Sequence, residues 1–192
     1  MLAVSVVAFG VSVAAKQPAG PRQADRLPAT IDRSATAKKH LLNIPDRKHA
    51  MNRPKGVGWC GESATQGALL FHGAYFFQKA INQAGKPQHG DLYANEIPTA
   101  LRNLGMDIQA WPWRTVKMPL FTQWLRGRIA SSVPVVTGMK IYPTKHPSWG
   151  LDHFVLAIGF QGDSVVFNTT WQLQQTFRSH RSSSSRPRRG SR

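Results

Sequence analysis

The sequence predicts an α+β domain in which helices from the first part of the chain pack against an antiparallel β-sheet from the last part. Apolar residues recur at helical spacing in four stretches between residues 60 and 128. After Ser131 the pattern changes to short β-branched and aromatic runs, Val133–Thr137, Phe154–Phe160 and Val165–Phe167. Gln161-Gly162-Asp163 separates the last two runs as a hairpin turn. Helices followed by hairpin-linked strands define the α+β class.

Taken in order, Ala64, Ala68, Leu69, Phe71 and Ala74 predict a buried helix over 60–73, stopped at Gly73. A second helix is expected over 75–84, ended by Gly85 and Pro87. The third covers 95–103, with Ile97, Ala100, Leu101 and Leu104 on one face and Gly105 as its stop. Phe121, Trp124 and Leu125 mark a fourth over 120–128. The run beginning at Phe154 then follows His153, and the run ending at Phe167 precedes Asn168. Because a hairpin runs antiparallel, those two ends are neighbours.

The chain has 192 residues, enough for one domain with a sizeable core. Its 41% hydrophobic content, with nine Phe, six Trp and three Tyr, argues against disorder. The net charge of +16 is carried mostly by the flanks: residues 56–177 hold nine Lys/Arg against six Asp/Glu. Basic flanks are solvated tails or contacts for an anionic polymer such as nucleic acid, a cell wall or acidic lipid. Residues 1–15 are uncharged and apolar and end in small residues, which is read as an export signal. The chain is then expected in a periplasmic, cell-surface or extracellular location. A buried N-terminal strand is the competing reading of that stretch. Residues 16–51, with four prolines and scattered charge, are expected to form a linker or loose arm. The folded unit is expected over 52–177, and 178–192, rich in Ser and Arg, is expected to be a disordered tail. No segment besides the N-terminal one is apolar enough to suggest a membrane span.

Cys60 is the single cysteine and lies in Gly58-Trp59-Cys60-Gly61-Glu62, at the start of the first expected helix. It has no cysteine in its own chain to pair with, so packing, intermolecular pairing or chemistry remains. A helix N-terminus and a nearby imidazolium favour the thiolate. Cys60, His153 and Asn168, each at an element boundary, suit a nucleophile, a base and an amide that orients the base. Taken singly they have plainer readings, as a buried thiol, a structural histidine and a turn residue. Glu62, two residues after the thiol, is read as complementing the helix dipole. Trp59 and Trp149 are candidates for a substrate groove, with Trp111 and Trp113 behind them; loop aromatics also cap cores.

Gly-Trp-Cys-Gly-Glu, Asp-His-Phe-Val-Leu-Ala-Ile-Gly-Phe and Val-Val-Phe-Asn-Thr-Thr-Trp together resemble motifs of the papain-like cysteine peptidases. Within them the chain is most similar to compact bacterial domains that process double-glycine bacteriocin leaders. The resemblance covers roughly residues 52–172. It implies a papain-like fold and hydrolysis of peptide or protein substrates through a thioester, without a cofactor. Cys60 is implied as nucleophile, His153 as base and acid, and Asn168 as orienter. Where the family carries an oxyanion-hole glutamine ahead of the cysteine, this chain has Pro54. That leaves the Asn52 amide and the Cys60 backbone N–H as oxyanion candidates. The family continues its sheet beyond the asparagine, whereas here a Ser/Arg tail is expected to follow Trp171. The alternatives are a catalytically inactive surface-binding module with basic arms, and amide exchange of the transglutaminase kind. Cys-x-x-Cys, His-Glu-x-x-His, calcium-loop and nucleotide-loop patterns are missing, so no metal ligand is expected.

Overall fold

The computed structural model describes residues 7–13, 38–52, 56–111 and 118–178. Among these are four helices and a seven-stranded sheet whose pairings are all antiparallel. The chain begins with β1 (Ala8–Val13), β2 (Lys39–Leu41) and a short ribbon of β3 (Met51–Asn52) and β4 (Val57–Gly58). Next come α1 (Cys60–Phe71), α2 (Gln78–Gly85), α3 (Ile97–Asn103), β5 (Met106–Ala110) and α4 (Met118–Ala130). It closes with β6 (Val135–Met139), β7 (His153–Gln161), β8 (Ser164–Asn168) and β9 (Gln174–Arg178). The spatial order is β5-β1-β6-β7-β8-β9, with β2 added to the far end of β7.

The expected helices and hairpin are present. Gly73 and Gly105 end α1 and α3 with positive φ, and Gly162 turns the β7–β8 hairpin in the same way. On α4, Phe121, Leu125 and Ile129 recur every four residues and form its buried stripe. All of β7 from His153 to Phe160 is buried, so the strand that carries the site is the interior of the sheet. α1 packs on β6 and β7. Its small residues allow this: a Cβ on Gly67 would lie 2.9 Å from Leu156, and one on Gly61 would crowd Ile97 and Phe154.

Three expectations about organisation differ from the structure. Residues 8–13, read as the apolar core of an export signal, form a strand between β5 and β6, with Val11 fully buried. A chain cut after Ala15 would lose that strand from inside the sheet. Residues 38–51, expected in a loose arm, are part of the domain. Leu42 and Ile44 are buried, Leu42 N–H donates to Ile158 O, and Trp59 N–H donates to Ala50 O. The sheet also continues past Asn168, where Gln174–Arg178 pairs with β8. Residues 174–177 are all exposed, so their sequence shows no apolar alternation. Residues 1–6, 14–37 and 179–192, with the rest of the signal, the basic arm and the tail, lie outside the described residues.

Candidate functional site

Cys60 is the first residue of α1 and lines a cavity of about 550 Å³. The facing walls are 91–95, which includes Tyr93, and 149–152, which includes Trp149. Two carboxylates fix those walls. Glu62 Oε1 accepts from Leu92 N–H (2.9 Å) and Asn82 Nδ2 (2.6 Å), tying the first wall to α1. Asp152 accepts from Ile141 and Tyr142 N–H at 2.7 and 2.9 Å, tying the second wall to the segment after β6. Glu62 is fully buried, so its carboxyl is a structural anchor and not a solvent-facing complement to the helix dipole.

The Sγ of Cys60 accepts a hydrogen bond from Phe154 N–H at 3.4 Å. That donor is free for the thiol because the β7–β8 pairing begins only at Leu156. The site thus brings Cys60 against the residue next to His153. Among the described residues no hydrogen bond joins the sulfur to the imidazole. Burial pushes the Cys60 thiol up to about 11, against the weaker downward pull of the Phe154 N–H. The same burial lowers His153, with the Thr169 carbonyl acting in the opposite direction. Both shifts favour the uncharged forms, so burial acts against the thiolate that a helix terminus favours.

His153 is oriented by a group the sequence did not single out. Its Nε2 lies 2.9 Å from Thr169 O, and a carbonyl can only accept, so Nε2 carries the hydrogen. The lone pair is left on Nδ1, as a general base requires. Asn168, expected to do this, does not. Its Nδ2 donates to Ile44 O at 2.8 Å, and its buried Oδ1 has no partner. The ring of Trp171 stacks on His153 at 4.3 Å between centroids, closing one face of the imidazole.

Asp46 holds this turn. Its carboxylate accepts from the N–H groups of Thr169, Thr170 and Leu173 at 3.1, 3.0 and 2.8 Å. Thr170, β-branched, has a φ of 67°, and Gln172 one of 65°. Such backbone persists where its surroundings over-determine it. His49 shares the same turn, with Nδ1 donating to Thr170 O at 3.1 Å. Its ring packs where a Cβ on Gly58 would come within 3.0 Å, so that glycine makes room for it. Asp46, His49, Thr169, Thr170 and Trp171 are the site residues that sequence reasoning missed. Thr169, Thr170 and Trp171 had a signal, as the last three residues of the Val-Val-Phe-Asn-Thr-Thr-Trp motif.

The remaining candidates divide. Trp149 is exposed and lines the cavity, whereas Trp59 donates Nε1–H to Gly90 O at 2.7 Å and is absent from the lining. Asn52 also donates to Gly90 O, at 2.9 Å, so its amide is committed away from an oxyanion position. Pro54 and Trp113 lie outside the described residues. Trp111 is buried against Phe121 and Trp124 and belongs to the core. No group of three or more His, Cys, Asp or Glu among the described residues is arranged to hold a metal ion. No helix among them is long and apolar enough to cross a membrane. Comparison with protein-family models, curated proteins and solved structures returns no match, so the site is interpreted from its own geometry.

Proposed function

We propose that the chain is a thiol hydrolase of peptide bonds with a papain-like arrangement, Cys60 being the nucleophile and His153 the general base and acid. The observation that supports this reading is that the cavity-lining thiol is held by the backbone N–H of the residue next to His153. A helix-start thiol is held by Phe154 N–H, and the adjacent His153 has its proton fixed on Nε2 and its lone pair on Nδ1. In the reaction, Sγ bonds to the peptide carbonyl carbon while Nδ1 takes the thiol proton. The C–N bond then breaks, the amine leaves with that proton, and a thioester remains. Water attacks the thioester, His153 takes a water proton, and the sulfur leaves to regain a hydrogen. The backbone N–H of Cys60 is the remaining oxyanion candidate, since Asn52 is committed to Gly90 O.

Because the resting thiol is protonated, proton transfer to His153 accompanies attack, as in hydroxyl nucleophiles. That same protonated thiol favours a second reading, a cavity that binds peptide without cleaving it. One comparison separates them. Cys60→Ala should reduce cleavage of a quenched-fluorescent peptide library on the order of a thousandfold or more. It should also abolish labelling by a thiol-directed inhibitor. Cleavage equal to that of the unmodified protein would end the peptidase reading, and no cleavage by either protein would favour the binding reading. Export and contact of the basic flanks with an anionic polymer belong to the same proposal; steep loss of polyanion binding with added salt supports the second of these.

A further inference from the structure

His49 and His153 come from distant parts of the chain, yet both rings are held by consecutive carbonyls of one turn. Thr169 O accepts from His153 Nε2 and Thr170 O from His49 Nδ1. The hydroxyl of Thr170 lies between those nitrogens, 3.3 Å from the first and 3.4 Å from the second. The ring centroids are 6.3 Å apart, edge to face. Thr170 is almost fully buried and His153 is buried, so water does little to screen one imidazole from the other.

We propose that His49 is a positioning residue of the thiol site, the second imidazole of a Thr170-bridged pair in which charge on one ring opposes charge on the other. This rests on the reading of His153 as the base, and it adds a regulator of that base. Charge on His49 disfavours charge on His153, so the base stays neutral, and able to accept a proton, to lower pH than it would alone. Once His153 has taken the thiol proton, its charge in turn opposes protonation of His49. The other groups facing the pair are few. Asp152, just before β7, and Asp46 favour the charged form of His153, and Lys48 disfavours charge on His49. Asp46 is itself engaged by three backbone N–H groups. Burial lowers both imidazoles, and charge on His49 adds to the lowering of His153.

The test is the NMR titration of the histidine ring nitrogens in full-length protein labelled with ¹⁵N-histidine. In His49→Gln the midpoint of His153 should rise by roughly half a pH unit to two units, the range Coulomb's law allows at this separation between water-like and protein-like screening. His153→Gln should raise the midpoint of His49 too, by less if His49 is the first of the pair to take a proton, because the coupling is one free energy and the midpoints belong to the pair. An unchanged His153 midpoint in a folded His49→Gln protein would overturn the proposal. If the first variant does not fold, the second decides alone by whether His49 moves. These titrations need no hydrolysis. A peptidase reading that fails with Cys60→Ala therefore leaves this result standing or falling by itself.

Discussion

Glu62 and Cys60 share the first turn of α1, and burial raises the proton affinity of both side chains. Glu62 is pushed up to about 7, chiefly by desolvation, with the Asn82 and Leu92 donors pulling it back. One of its oxygens is buried without a partner. For stability the sign follows from proton counting. Between the ordinary value of 4.5 and about 7 the folded chain binds the Glu62 proton and the unfolded chain releases it. Stability from this group is complete below that window and falls as pH rises through it, by at most about 1.4 kcal/mol per unit. Glu62→Gln keeps an oxygen for the Leu92 N–H and removes the titration. Urea unfolding across this pH range should therefore show a flatter stability profile in the variant; parallel profiles would show that Glu62 titrates normally. An ionised Glu62 also opposes the Cys60 thiolate, so ionisation of the anchor works against the nucleophile.

Among the elements, those with a strong local pattern were legible and those defined by their partners were not. The four helices, β6 and the β7–β8 hairpin were visible because their apolar periods and glycine stops are local features. The placement of His153 at the start of β7 and Asn168 at the end of β8 followed from that hairpin. The orientation of their side chains did not. Asp46 reaches Thr169 across 123 residues, and no periodicity announces such a contact. β1 was ambiguous for a different reason: an uncharged run such as Ala8–Val13 suits a signal core and a buried strand equally well. Its position gives a prediction. Removing residues 1–13 takes away the partner of both β5 and β6, together with the buried side chains of Phe9 and Val11. Those two side chains alone contribute about 1.5–3 kcal/mol each, a large share of the roughly 5–15 kcal/mol that holds a domain together. The truncated chain should lose cooperative thermal unfolding or melt well below the full chain. An unchanged Tm would show β1 to be dispensable, as a removable signal must be.

Across the whole molecule, charge and site are separated. The chain carries +16, yet the cavity beside Cys60 is lined by Asp91 and Asp152 and by no Lys, Arg or His. Its walls are held to α1 and β6 by Glu62 and Asp152, and its base is held to the sheet by the turn that Asp46 clamps. Elements from both ends of the described chain therefore converge on one thiol, which fits a site whose shape is built in rather than assembled on binding. The central claim is that this thiol carries an acyl group during turnover. Intact-mass spectrometry of protein quenched during reaction with an activated peptide ester tests it directly. The account predicts a transient mass gain equal to the acyl portion, mapping to the proteolytic fragment that contains Cys60 and absent from Cys60→Ala. Ester turnover at the same rate in Cys60→Ala, or an adduct mapping to another residue, would contradict it.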